Sequence, residues 1–345
     1  MRPSMMLDVQ QEERACQLHK ESFILFAHDH WLPPAGVEEF VRGGITGRIL
    51  MTVVDARIYA STTDEYHRSI PQIEGWFSES REVYLQVLAA VDSNPNLMLI
   101  RNSADVLRAK RESRVGVLLG AEGGKIVEHT LSNLPSLYDL GVRHIMLSWA
   151  FNNQITAGES DKEGRELTAF GREVVQEMNR LGMIIDITHI SRPAMREVLE
   201  LSSRPVLNSH TTLKSISHRI PSLTEEEIRA VADRGGVLAV HFMTHMITGR
   251  FRPQATIDEL LAHIDAIVNI GGIDCVALGP DYLPNTSDFK RNTEQTELSF
   301  PIGLESPADI LNLVRALVMR GYSDEAVRKI LGGNLLRLFR EVLDN

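Results

Sequence analysis

Short runs rich in Val, Ile, Leu and Ala alternate with longer stretches of helical periodicity along nearly the whole chain, and this alternation is the strongest constraint on its fold. Candidate strands fall at 22–30, 48–59, 115–122, 144–149, 183–189, 205–210, 236–242 and 275–281. Helical patterns lie between them at 81–91, 103–112, 168–181, 192–201, 224–234 and 257–269. Ser191 stands before Pro193, Thr224 precedes a run of glutamates, and Gly182 follows the last turn of its helix, all positional signals for helix ends. Repeated strand–helix alternation implies a parallel sheet covered by helices. Eight such units predict a closed (β/α)8 TIM-type barrel with an N-terminal helix, as one domain over residues 1–345. An open dinucleotide-binding sheet would need a glycine-rich turn after its first strand. This chain has His28-Asp29-His30-Trp31-Leu32-Pro33-Pro34 there instead. The stretches 61–77 and 283–301 read as long loops over the C-terminal face.

Polar residues gather where the apolar runs end. His28 and His30, Glu122, Trp149, His189, His210 and Asp281 all close predicted strands, on the face where barrel enzymes carry their active sites. His28 and His30 are two apart, so in a strand both side chains leave the same face. A lone pair of that kind is weak evidence. Four histidines and two carboxylates on one rim make a metal-ligand set, and imidazole with carboxylate favours zinc or a similar first-row ion over calcium or magnesium. His19, His67, His129, His144, His218 and His263 are expected to be solvated or packed, and His241 and His245 stay unassigned.

Composition narrows the partners. A formal net charge of −10 argues against nucleic acid or an anionic membrane surface. No window approaches 18 uninterrupted apolar residues, and the polar stretch 8–20 leaves no room for a signal-peptide core, so no membrane anchor is expected. Cys16 and Cys275, far apart, fit a reducing compartment, and the expected location is cytoplasmic.

Several stretches together resemble the membrane (renal) dipeptidase family of zinc peptidases, from about His28 to the C-terminus. The most specific are Leu167-Thr168-Ala169-Phe170-Gly171-Arg172, Glu177-Met178-Asn179-Arg180-Leu181-Gly182-Met183 and Asp186-Ile187-Thr188-His189-Ile190-Ser191. The runs Pro205–His210 and Ile273–Asp281, with Gly321-Tyr322-Ser323 and Leu331-Gly332-Gly333-Asn334, add to the likeness. The resemblance implies two zinc ions per chain bridged by Glu122, one site completed by His189 and His210 and the other by His28 with His30. It also implies a metal-bridging hydroxide as nucleophile, Asp281 as the acid/base carboxylate and Arg219 as receiver of the substrate carboxylate. The implied reaction is hydrolysis of dipeptides, often with a D-residue at the C-terminal position, by a homodimer.

Three departures bear on that expectation. The family's first motif is typically His-x-Asp, so His30 takes the aspartate's place. Neutral His30 leaves the site one unit more positive, which predicts a bridging water at least as acidic and a second metal held less tightly. Trp149 stands where animal members carry a substrate-contacting histidine and would offer an apolar wall to the substrate. The spacing from Arg219 to Glu225–Glu227 is about two residues longer than usual. One alternative keeps the metals but hydrolyses another amide, an N-acyl amino acid or a lactone. A non-catalytic binding protein, the remoter alternative, would have lost Glu122 or Asp281, and both are present.

Overall fold

The computed structural model describes residues 7–55, 73–218, 222–283 and 298–344. Its strands are β1 (Leu25–Asp29), β2 (Gly47–Val54), β3 (Leu97–Leu99), β4 (Val115–Glu122), β5 (Val142–Met146), β6 (Ile184–Asp186), β7 (Leu207–Thr211), β8 (Val237–His241) and β9 (Val276–Gly279). All pairings are parallel, and β2 pairs with both β1 and β4. The ring β1-β2-β4-β5-β6-β7-β8-β9 therefore closes on itself through β9 and β1, an eight-stranded barrel as the alternation predicts.

A ninth strand goes beyond that expectation. β3 lies beside the first half of β4, Leu97 opposite Val115, while β5 takes the second half from Leu119 onward. At three residues, after the turn-rich Asn94-Pro95-Asn96, β3 is too short to display alternation.

Every barrel strand longer than three residues is buried along its full length, because side chains on one face fill the barrel and those on the other meet the helices. Leu25, Ala27, Ile49, Met51, Leu118, Ile184, Leu207, Ala239 and Ala277 pack together inside. Phe26, Leu50, Val117, Leu119, Ile185, Leu238 and Leu278 belong to the layer shared with the helices. The helices form where the sequence signals start and stop. Thr168 caps Ala169–Leu181 through its side chain, Gly182 ends that helix in the left-handed region, and Ser191 caps Arg192–Leu201 with Pro193 in the first turn. Thr224 and Glu227 form a reciprocal capping box at the start of Glu225–Asp233. The expected N-terminal helix is Val9–Glu21, and Asn334–Leu343 packs Leu335, Leu338 and Phe339 against the interior cluster.

Two irregularities aim side chains at the barrel mouth. Phe26 pairs with Arg48 and Asp29 with Leu50, so β1 carries one extra residue there. Asn208 pairs with Leu238 and Thr211 with Val240, the same insertion in β7. Such bulges bring adjacent residues to one face. Ala27 and His28 thus both reach the interior, as do Ser209 and His210, while Asp29 turns outward to pair with Arg48, whose guanidinium lies 4.2 Å over the Phe40 ring. Gly279 has no side chain because a Cβ there would stand 1.9 Å from the Ser209 carbonyl oxygen.

Candidate metal centre

His28 (β1), Glu122 (the last residue of β4) and His210 (β7) are buried at the C-terminal mouth of the barrel, with His30, His189 and Asp281 just beyond the ends of β1, β6 and β9. His30 Nε2 lies 3.1 Å from His28 Nε2 and 3.3 Å from Glu122 Oε2. His189 Nε2 lies 2.8 Å from His210 Nε2 and 3.7 Å from Glu122 Oε1, and the same oxygen is 3.7 Å from His28 Nε2. Among the described residues three groups of potential ligand atoms result, each within 4.8 Å: His28–His30–Glu122 and Glu122–His189–His210, which share Glu122, and His210–His241–Asp281. Five of the expected ligands thus converge.

The donor set fits divalent cations. Two bare imidazole nitrogens face to face can share at most one proton, and both nitrogen pairs lie beside the same buried carboxylate. Ligand atoms about 2.0–2.1 Å from a tetrahedral ion stand roughly 3.3 Å from one another, close to the 2.8–3.7 Å spacings here. Burial pushes Glu122 up to about 7 against the pull of His30 and His189. Burial would lower His30 and His189, but Asp281 and Glu122 around the first, and Glu159 and Glu122 around the second, hold both up at about 9. Burial, reinforced by neighbouring imidazoles, drives His28 and His210 well below the usual range. Positive charge is in demand here, and a bound cation would supply it.

Asp281 stands on the same rim. Its Oδ1 is 3.2 Å from His30 Nε2 and its Oδ2 is 3.3 Å from His241 Nε2. Burial would raise this carboxyl, yet His241 and His30 hold it well below the usual range. His189 and Asp281 both adopt positive φ, 63° and 56°, a conformation that costs a residue with a side chain on the order of 1–3 kcal/mol and clusters at functional sites. Half-buried Trp149 follows β5, its ring 5.9 Å from that of Phe151. Arg219 lies outside the described residues, as do most of the two predicted long loops.

One residue that sequence reasoning passes over also belongs here. Glu159 Oε1 is 2.8 Å from His189 Nδ1, brought there by the antiparallel bridge between Gly158 and Ile190. His241, which the sequence leaves unassigned, ends β8, and the same strand-end signal that marks its neighbours points to it. His144 and His263 are packed as expected, the first against Asp186 at 2.9 Å and the second against the Leu213 amide and the Ile247 carbonyl. Burial would raise Asp186, but hydrogen bonds from His144, Ser209 and Thr188 bring it down to about 2.

Known proteins share this architecture. The family model described as membrane dipeptidase (peptidase family M19) matches residues 77–345. Among solved structures, an amidohydrolase from Pseudomonas aeruginosa has a TM-score of 0.85 at 23% identity, covering 96% of this chain and 99% of its own. The probable dipeptidase PvdM from the same organism gives 0.83 at 20%, covering 98% and 100%. A metallo peptidase from Rhodobacter sphaeroides, liganded with a phosphinate mimic of the dipeptide L-Ala-D-Ala, gives 0.78 at 18%, covering 93% and 100%. At these identities the likeness is one of fold.

Proposed function

Because the chain belongs to the membrane dipeptidase family and is therefore a metal-dependent dipeptidase, we propose that it hydrolyses dipeptides with two zinc ions held at the barrel mouth. The observation that carries this reading is the pair of three-residue ligand groups sharing Glu122. His28, His30 and Glu122 would hold one ion, and Glu122, His189 and His210 the other. Such an ion pair, when bound, supplies Lewis-acid polarisation of the scissile carbonyl and lowers the pKa of water.

The chain's own residues do the rest. Asp281, ionised and facing the ligands, takes a proton from the attacking water and returns it to the departing amine. Arg219 would receive the terminal carboxylate in a bidentate pair, and Trp149 would give the N-terminal side chain an apolar wall. A D-residue at the C-terminal position is part of the proposal, supported by the L-Ala-D-Ala mimic bound to the Rhodobacter relative. We further propose a homodimer, on family grounds, and a cytoplasmic location. The free thiols of Cys16 and Cys275 suit that compartment, and among the described residues no helix is long and apolar enough to cross a membrane.

The test is a hydrolysis screen over L,L- and L,D-dipeptides with small and large N-terminal side chains, run with zinc and again after chelation. Zinc-dependent turnover of dipeptides is expected. Turnover of N-acyl amino acids or lactones alone, or full activity in the chelated protein, would refute the proposal.

A further inference from the structure

One hydroxyl lies behind both ligand groups that share Glu122. Ser209 Oγ is 3.0 Å from His28 Nδ1 and 3.3 Å from His210 Nδ1, and these two nitrogens are 3.1 Å from each other. His28 belongs to one group and His210 to the other. Both rings turn Nε2 towards the remaining ligands, His28 to His30 and His210 to His189. An imidazole that ligates through Nε2 carries its proton on Nδ1. Two N–H groups 3.1 Å apart repel unless a shared acceptor takes both, and a serine oxygen has two lone pairs.

The rest of the wiring gives that oxygen the right polarity. The Ser209 hydroxyl is 3.4 Å from Thr188 Oγ1, which accepts the Ser209 amide proton at 2.9 Å and donates its own to Asp186 Oδ1 at 2.6 Å. Asp186 Oδ1 also accepts the Thr188 amide at 2.9 Å, and its Oδ2 takes the His144 Nε2 proton at 2.9 Å. Protons thus run one way, from His28 and His210 through Ser209 and Thr188 to a buried carboxylate anchored by His144. Ser209, Thr188, Asp186 and His144 are all buried, so no bulk water competes for these bonds. The bulge in β7 makes the arrangement possible, since it turns Ser209 and the adjacent His210 to the same interior.

We propose that Ser209 is a positioning residue whose single hydroxyl accepts the Nδ1 protons of His28 and His210, fixing one imidazole of each metal site so that the two sites gain or lose affinity together. The proposal rests on the two-metal reading of the site. Partners of this kind set ring orientation and ligand basicity, and losing one typically costs about 10–100-fold in metal affinity.

The test compares wild-type protein with Ser209→Ala, Ser209→Cys and Thr188→Val, titrating zinc against a competing chelator and recording the visible spectrum of the cobalt(II)-loaded forms. Ser209→Ala should weaken both ions by about 10–100-fold each and alter the cobalt bands of both sites. Ser209→Cys, of similar shape but a poorer acceptor, should fall between, and carries the comparison alone if the alanine variant does not fold. Thr188→Val, one link removed, should have the smallest effect. Unchanged affinities, or weakening of one ion alone, would overturn the shared lock. A wild-type protein that binds no divalent ion would instead refute the two-metal reading itself.

Discussion

The resemblance puts His30 where the family's first motif carries an aspartate, and the surroundings of this histidine bear on that exchange. Its ring is flanked by Glu122 and Asp281 at 3.3 and 3.2 Å, so two carboxylates already face it. As a neutral ligand on the proposed two-metal reading, it would give the ion less charge than an aspartate. His30→Asp should therefore tighten the metal bound with His28, read as slower loss of one of the two ions to a chelator; equal or faster loss would contradict this. Asp281→Asn tests the proton carrier, and kcat should fall by about 10²–10⁴-fold with both metals retained. At this scale the sequence is legible wherever an apolar run ends in a ligand, as at Glu122, His189 and His210. The pairing of His28 with His30 is legible too, although a bulge rather than plain alternation turns His28 inward. Glu159 is not, because it sits in an aperiodic loop and reaches His189 only through a bridge formed after folding.

Elements meet in the loops above the barrel, and Asp55 shows how. Its carboxylate follows β2, accepts the Lys125 amide of the segment after β4 at 2.9 Å and the Asn153 side-chain amide of the segment after β5 at 3.0 Å. Burial lifts its pKa to about 6 against the opposing pull of Lys125. A carboxyl that holds its proton more tightly folded than unfolded lowers stability as it ionises. Between about pH 4 and pH 6 this group should make the protein less stable as pH rises, by up to roughly 3 kcal/mol. Denaturant melts across that range should flatten in Asp55→Asn; an unchanged slope would remove Asp55 as its source. Eight barrel strands and the main helices can be read from the sequence because each apolar run spans enough residues for its period to show. β3 and the bulges, only a few residues each, leave no such period.

For the whole molecule, a closed ring of strands holds the candidate ligand sets, and bound ions would supply counter-charge to a buried carboxylate and crowded imidazoles. An ion that binds only the folded chain stabilises it by about 2.7 kcal/mol per site at a hundredfold excess over Kd. Exhaustive chelation should lower Tm, and zinc should restore it where magnesium, which prefers an oxygen shell, does not. Equal melting of metal-free and zinc-loaded protein would count against tight binding at either site.

Ring closure through β1 and β9 also sets a timetable for biosynthesis. His28 and His30 leave the ribosome long before Asp281 and the strand that seals the barrel beside them. At about 5–20 residues per second, the first pair waits roughly 10–50 s for its last neighbours. Throughout that interval the edge of β1 that β9 covers in the finished barrel has no partner strand, so His28, near its end, lacks the wall that buries it.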